Sequence, residues 1–320
     1  MSQFSKPAFE PVMRQHLIAF KQQRQYLPPL RPGRPWQYPT IEDNLFPPLR
    51  SAIMHHIHTN GILLHDYANH VCSSQAFAFN LLFHLCIDRT EALTRYFSSL
   101  LGADLKELTR FQFEFEPDEN LLGEWPRDDE KPDKYVTAAD CALFFTTSDC
   151  RQAIVLVEVK FTEAGFTECN GADSPRMSAA DRVMICENRS NLFTQPDRCY
   201  YSRKAHALTN SGGYFQHFGN LHSAFPGNEE ITTCPFRKLH QCMRNHALAR
   251  SLRTGDTVST WFGLVHHDRN EEIAAQWVEY TDLCSDRLQR DLFKAPASAL
   301  AMVSDDDSYR RFMRERYRIG

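Results

Sequence analysis

The sequence predicts an α/β protein in which a mixed sheet is flanked by helices and preceded by a helical N-terminal part. The first hundred residues show the apolar spacing of helices, whereas "TRFQFEFEP" (109–117) alternates Phe with polar residues, as a half-buried strand does. The apolar run in "QAIVLVEVKF" (152–161) indicates a central strand that is covered on both faces.

Four helices are predicted in the N-terminal part. Serines suited to a helix start precede a buried apolar segment, and Gly102 is typical of a helix end. The loop "LPPLRPGRPWQYP" follows the first helix, because its prolines and glycine exclude regular structure. The predicted helices cover residues 6–26, a segment from near Pro47 and Pro48 to just before Gly61, "SSQAFAFNLLFHLCI" and "DRTEALTRYFSSLLG".

The pattern then changes to strands. "YVTAADCALFFTT" and "RQAIVLVEVKF" are joined by the short "SDC" connection, which predicts a hairpin. A long irregular section, residues 162–233, leads to a helix predicted over residues 236–253, and "DTVSTWFGLVHH" is the fourth strand. We therefore divide the chain into a mainly helical part packed on the core, residues 1–104, and the core itself with a basic C-terminal helix, residues 105–320.

Size and composition are those of an ordinary globular protein. The chain has 320 residues and 37.1 kDa, with 42% hydrophobic and 24% charged residues, enough to bury a substantial core. The net charge of −4 argues against a wholly basic surface but allows a local basic groove. The sequence contains no apolar run long enough to span a bilayer and no signal-peptide segment at its start, so we expect a cytoplasmic protein without a membrane partner. The oligomeric state stays open, a homodimer included.

Charged residues on the apolar strand point to a functional site. Glu158 and Lys160 are two residues apart and therefore leave the same face of the strand, where unpaired charges are costly. Asp140 lies on the preceding strand, so a hairpin of suitable register brings two carboxylates and one ammonium together. Hard oxygen ligands of this kind suit Mg²⁺ or Mn²⁺, which activate water for phosphodiester hydrolysis. The alternative is a salt bridge at the end of a strand.

This arrangement resembles the PD-(D/E)XK nuclease superfamily, which includes restriction endonucleases and recombination exonucleases; Ala139 stands where the superfamily has a proline. The chain is also similar to uncharacterised bacterial proteins described as restriction endonucleases, which contain "SSQAF.FN", "TSADAAV", "QIVLIEWKYTE" and "YQLMR" in this order. The corresponding segments here are "SSQAFAFN" (73–80), "VTAADCAL" (136–143), "QAIVLVEVKFTE" (152–163) and "LHQCMR" (239–244). The likeness covers roughly residues 40–270.

The resemblance implies a restriction-endonuclease-like αβββαβ core, with Asp140, Glu158 and the Val159 carbonyl as metal ligands and Lys160 serving the attacking water. Superfamily members often add an upstream glutamate, for which Glu42 and Glu114 are the candidates; either also fits a solvated surface acid. On the later helix, Gln241 is a candidate for the catalytic site and Arg244 for phosphate binding, and both also fit a helix surface. Arg237 and Lys238 would add positive charge near the nucleic acid.

The ten cysteines and the C-terminal arginines have simpler interpretations. Cys169, Cys186, Cys199 and Cys234 all lie in or next to the long irregular section, but the chain has no CxxC pair, so ordinary thiols are favoured over a zinc site or an iron–sulfur cluster. "DDDSYRRFMRERYRIG" places acids before and arginines along a predicted helix, which either complements the helix dipole or forms a basic patch that contacts nucleic acid.

We therefore expect a metal-dependent deoxyribonuclease of restriction, defence or repair type. The alternative is a nucleic-acid-binding or interaction protein that keeps the nuclease fold without turnover. The presence of Asp140, Glu158 and Lys160 together favours the enzyme.

Overall fold

A mixed sheet organises the computed structural model, which describes residues 9–24, 30–124, 136–171, 173–174, 177–201, 213–227 and 230–320. Within these residues five strands follow the order β1-β2-β3-β4-β5; β1, β2 and β3 are antiparallel neighbours, and β4 and β5 continue in parallel with β3. The strands are β1 (Leu105–Phe115), β2 (Ala139–Thr147), β3 (Gln152–Lys160), β4 (Thr257–His266) and β5 (Leu292–Pro296).

Helices cover both faces of the sheet. The described helices are α1 (Phe9–Gln22), α2 (Arg50–Thr59), α3 (Ser74–Asp88), α4 (Thr90–Leu101), α5 (Ala179–Asp181), α6 (Arg189–Thr194), α7 (Leu221–Ala224), α8 (His240–Ser251), α9 (Glu271–Leu283), α10 (Asp286–Gln289), α11 (Ala297–Ala301) and α12 (Asp307–Tyr317). Shorter 3₁₀ segments are Glu42–Asn44, Pro47–Leu49, Pro196–Arg198 and Tyr214–His217, and Arg182–Cys186 forms a π-helical turn. None of the described helices has the length and apolar character needed to cross a membrane.

The predicted α/β class, with a mixed sheet between helices, is confirmed. The β2–β3 hairpin is also found, with Cys141 opposite Val157. The predicted start of α3 is confirmed, because the Ser73 side chain accepts a hydrogen bond from the Ala76 N–H. The predicted end of α4 is confirmed as well, at Gly102 with a φ of 59°. Parts of the first predicted helix, of the proline-rich loop and of the irregular section, together with Tyr135, lie outside the described residues. The domain boundary at residue 104 stays a prediction.

Several described elements were not predicted, among them the short helices α5, α6, α7, α10 and α11, and one helix was predicted too long. Strand β5 and helix α9 were missed, although α9 begins with a clear cap, the Asn270 side chain accepting from the Ile273 N–H. The helix expected over 236–253 is α8, and it starts only at His240, because the Arg237 carbonyl accepts from the Cys169 N–H instead of joining a helical turn.

Each face of the sheet carries its own apolar layer. On β3, Val155, Val157 and Val159 pack with residues of α1, α3 and α12, whereas Ile154 and Leu156 pack with α8 and α9. Both sets are buried, which explains why this strand is a continuous apolar run and not an alternating one. Charged side chains on β3 therefore enter a covered layer.

A buried ionic cluster holds α8 against the sheet. Asp291, immediately before β5, accepts a hydrogen bond from Arg250 of α8. Its Oδ1 lies 2.6 Å from Nη2 of Arg253. Burial opposes ionisation of this carboxyl, but His246 and Arg253 lower its pKa to about 2. Arg250 and Arg253 are thus partners of Asp291 and fix the position of α8.

Candidate active site

The hairpin brings the three sequence-predicted residues to one face of the sheet. Because Cys141 pairs with Val157, continuing the antiparallel register by one residue sets Asp140 opposite Glu158. Their neighbours on the same face, such as Ala142 and Leu156, belong to the layer under α8 and α9. Asp140, Glu158 and Lys160 therefore lie together where β2 begins and β3 ends.

Asp140 is fixed by the backbone of β3. Its Oδ2 accepts a hydrogen bond of 2.6 Å from the Val159 N–H. Since the N–H and C=O of a strand residue leave the same edge of the strand, the Val159 carbonyl faces this carboxylate too. Burial raises the pKa of Asp140 well above its ordinary value, and the negative charges of Glu158 and Glu114 raise it further.

Glu158 receives donors on both of its oxygens. It is 2% exposed. Oε1 lies 3.0 Å from Lys160 Nζ and accepts from Gln241 Nε2 at 2.7 Å, and Oε2 accepts from Asn245 Nδ2 at 2.9 Å. Burial raises the pKa of Glu158, while the Lys160 ammonium opposes that shift. The arrangement compensates a buried carboxylate with one charge and two amides.

Lys160 keeps its proton in this setting. The side chain is buried, which by itself favours the neutral amine, but Glu158, Glu163 and Asp140 together raise its pKa above the ordinary value. An ammonium of this kind can hold and orient a water molecule or a phosphate oxygen. It does not act as a general base near neutral pH.

Helix α8 supplies the amides. Gln241 Oε1 accepts from the Thr167 N–H at 3.0 Å, and the Gln241 N–H donates to the Thr167 carbonyl, so the chain after β3 orients this side chain toward Glu158. Sequence reasoning placed Gln241 near Lys160 and missed Asn245. The signal was present, because residues four apart on a helix share a face.

Glu114 joins the cluster from β1, whereas Glu42 does not. Phe113 and Phe115 pair with Cys141 and Ala139, so Glu114 lies opposite Asp140. Glu42 is exposed in a 3₁₀ segment, and within the described part of the chain no hydrogen bond or ion pair links it to these residues. Of the two upstream candidates, the structure brings Glu114 to the site.

Two further residues, Gln75 and His65, hold Glu114 and were missed by sequence reasoning. Gln75 Nε2 donates to Glu114 Oε1 at 2.7 Å, and His65 Nε2 lies 3.6 Å from Glu114 Oε2. Gln75 belongs to the "SSQAFAFN" segment on which the resemblance rests, and this was the available signal; His65 lies in a loop and gave none.

The candidate nucleic-acid contacts differ in their positions. Arg244 is half-buried on α8, and its positive charge opposes the rise of the Glu158 pKa that burial causes. Arg237 and Lys238 are exposed in the turn before α8, and Arg237 lies 3.5 Å from Asp173. Arg316 of the C-terminal helix is 1% exposed, so the expected basic patch does not include it. Its buried position reflects packing against the aromatic rings of Tyr38 and Tyr317.

The chemistry of the donor set fits a hard divalent cation. Across the described residues no group of three or more His, Cys, Asp or Glu side chains could hold a metal ion. Mg²⁺ needs fewer, because it is usually bound by one or two carboxylates together with waters and substrate phosphates. Asp140 and Glu158, both with raised pKa values, are the two carboxylates that a cation would stabilise as anions.

Comparison with known proteins identifies a family. The family model REase-ARP, described as "Restriction Endonuclease associating with ARP", matches residues 14–304. The matched range contains every element from β1 to β5 and all the site residues described above. No curated protein and no solved structure matches the chain.

Glu158 and Lys160 compensate each other's buried charge, so removing Glu158 alone should destabilise the protein more than removing both charges. Glu158→Ala leaves the Lys160 ammonium buried without its nearest anion, so the free energy of unfolding should fall by about 3–5 kcal/mol. Glu158→Ala combined with Lys160→Met should recover part of this loss, because the unpaired charge is gone. Chemical denaturation at neutral pH measures both.

The exposed pair Glu91–Arg95 on α4 provides the control, since Glu91→Ala removes an ion pair that is open to solvent. Equal stability of Glu158→Ala and the unmodified protein would contradict the assigned role of Glu158. A double variant less stable than the single variant would do the same.

Proposed function

The chain belongs to the REase-ARP family, and from this membership and the Asp140–Glu158–Lys160 cluster we propose that it is a metal-dependent nuclease that hydrolyses phosphodiester bonds in DNA. Family membership indicates a nuclease-type function. The observation that carries the finer proposal is the buried Glu158, held between a lysine and two amides and next to a second carboxylate.

The fold supports assignment to the PD-(D/E)XK superfamily. Helix α4, strands β1, β2 and β3, helix α8 and strand β4 follow in the αβββαβ order implied by the sequence resemblance, with the short helices α5, α6 and α7 inserted between β3 and α8. In this assignment β2 carries Asp140 and β3 carries Glu158 and Lys160. The antiparallel β1–β2–β3 unit and the parallel β3–β4 pair supply the mixed sheet.

The proposed metal is Mg²⁺ or Mn²⁺. Asp140, Glu158 and the Val159 carbonyl would hold it, and when bound it would supply Lewis-acid stabilisation of charge on the phosphate. The Lys160 ammonium orients the attacking water and stabilises negative charge on the phosphate oxygens. Gln241 fixes Glu158 and the end of β3 relative to α8.

The DNA backbone would approach from the α8 side. Arg244 is half-buried beside Glu158 and would contact the scissile phosphate, whereas Arg237 and Lys238 are exposed at the start of α8 and would contact neighbouring phosphates. Such contacts position a duplex or a single strand without reading its sequence.

The first test of this proposal is the loss of cleavage in single variants. Asp140→Ala, Glu158→Ala and Lys160→Ala should each abolish Mg²⁺-dependent digestion of linear, circular and single-stranded DNA, because each removes a group of the metal and water site. Glu114→Ala should lower the rate, and the exposed Glu42→Ala should cleave as the unmodified protein does. Full activity in all three alanine variants of the cluster would remove the nuclease assignment.

A second test concerns Gln241. Gln241→Ala removes one donor from Glu158 and the link to Thr167, and the cleavage rate should fall on the order of a hundredfold, as it does when one positioned donor is removed from an active site. The melting temperature should change little, because Gln241 is only partly buried. Gln22→Ala, exposed at the end of α1, is the matched control. Unchanged turnover would shift the positioning role to Arg244.

A third test concerns electrostatics. DNA affinity should fall steeply with rising salt, because lysines and arginines displace counterions from the phosphates. Arg237→Ala combined with Lys238→Ala should make that slope shallower, by about one unit for each phosphate that the variant no longer neutralises. Fluorescence anisotropy in EDTA measures binding without turnover. An affinity that does not depend on salt would point to a different class of partner.

A further inference from the structure

The loop between α2 and α3 places a histidine beside Glu114. His65 Nε2 lies 3.6 Å from Glu114 Oε2, and the His65 side chain is 56% exposed while that of Glu114 is 18% exposed. We infer that His65 is the catalytic acid that protonates the leaving oxygen when a phosphodiester is cleaved; this inference rests on the proposed nuclease function.

Gln75 fixes the loop to the site. Its Oε1 accepts from the His65 N–H at 3.0 Å, and its Nε2 donates both to the Leu63 carbonyl at 3.0 Å and to Glu114 Oε1 at 2.7 Å. Gln75 is 2% exposed, at the start of α3, so the amide is part of the rigid core. One buried side chain therefore determines the distance between the loop and the carboxylate.

The backbone of β1 is also adapted to this contact. Glu114 has a φ of 48°, in the left-handed region that side-chain-bearing residues rarely adopt. Phe113 packs in the layer with α3, while Phe115, two residues on, packs in the opposite layer with Phe144. Strain of this kind is retained where the surrounding structure needs a particular side-chain direction, here that of Glu114.

The charged groups around His65 favour its protonated form. Glu114 on β1 raises the pKa of His65 above its ordinary value, and the charge of Glu158 on β3 adds to this rise. Burial and the positive charge of Lys160 oppose it. A larger fraction of imidazolium is therefore present near neutral pH than for a free histidine. The His65 side chain is 56% exposed and that of Lys160 is 10% exposed, so the imidazolium is the more accessible of the two cations.

The order of groups across the sheet matches an in-line displacement. Lys160 is on β3, Asp140 is on β2, and Glu114, whose carboxylate lies 3.6 Å from His65, is on β1 opposite Asp140. The attacking and leaving oxygens of a phosphoryl transfer lie on opposite sides of phosphorus. With a water held at the Lys160 end, the leaving oxygen faces the His65 end.

In the proposed step His65 transfers one proton to the leaving oxygen. The water oxygen forms a bond to phosphorus and loses a proton to solvent, and the bond from phosphorus to the leaving nucleoside oxygen breaks with its electron pair on that oxygen. The His65 imidazolium gives its proton to this oxygen, so a neutral hydroxyl leaves, and the imidazole takes up a proton from solvent before the next turnover.

Substrates with a bridging sulfur test this step. A thiolate is a good leaving group without protonation, so His65→Gln should cleave an ordinary oligonucleotide on the order of a hundredfold more slowly, as expected for the loss of a general acid. Two further oligonucleotides carry sulfur in place of the bridging 3′ or 5′ oxygen, as phosphorothiolates. On the one whose sulfur replaces the leaving oxygen, His65→Gln should cleave at the rate at which the unmodified protein cleaves that same substrate. Affinity for the ordinary oligonucleotide, measured by anisotropy in EDTA, should be unchanged.

Two controls separate the possible failures. His58→Ala, an exposed histidine on α2, should behave as the unmodified protein, and Asp140→Ala should lose cleavage of the ordinary and both sulfur-containing substrates. If the unmodified protein cleaves nothing, the nuclease proposal itself fails. If it cleaves, but His65→Gln retains the full rate on the ordinary oligonucleotide or is equally slow on all three substrates, the acid role of His65 is overturned.

Discussion

The buried charge of Glu158 is the constraint on which the site depends. A carboxylate that is 2% exposed needs compensation, and its partners come from two elements: Lys160 from its own strand, and Gln241 and Asn245 from α8. Helix α8 must therefore lie at a fixed height above the end of β3. The cluster around Asp291 provides this, because Arg250 and Arg253 tie the far end of α8 to the start of β5.

Asp140 and Glu114 place two further carboxylates beside Glu158 on neighbouring strands. Three carboxylates in a row across β1, β2 and β3 repel one another, and this repulsion adds to burial in raising the pKa of Asp140. Like charges in such a row cost stability. Each member has its own donor: Val159 for Asp140, the α8 amides for Glu158 and Gln75 for Glu114. These three donors are uncharged, so they orient the carboxylates, and Lys160 is the charged partner of Glu158.

The sequence could predict residues whose pattern lies within one element or two neighbouring elements, and it missed residues that depend on contacts between distant segments. Asp140, Glu158 and Lys160 were found together because a strand has a period of two and a short hairpin leaves few registers. Gln241 was a candidate because the resemblance implies a functional residue on the later helix. Gln75 and His65 depend on the packing of α3 and its preceding loop against β1, which no local pattern reveals. Strand β5 is short, and its pairing with β4 is a long-range contact, so alternation alone could not identify it.

The C-terminal arginines show the limit of reading charge from sequence. Arg316 stands among residues that suggest a basic surface, yet its guanidinium packs against the rings of Tyr38 and Tyr317 and donates to Asn44. Asn80 of α3 in turn donates to the Tyr317 hydroxyl at 2.6 Å and to the Asn44 carbonyl at 3.0 Å. The last helix is thus bound to α3, the helix whose first turn carries Gln75. Packing at the end of the chain therefore helps to fix the amide that holds Glu114, on the opposite side of the site from α8.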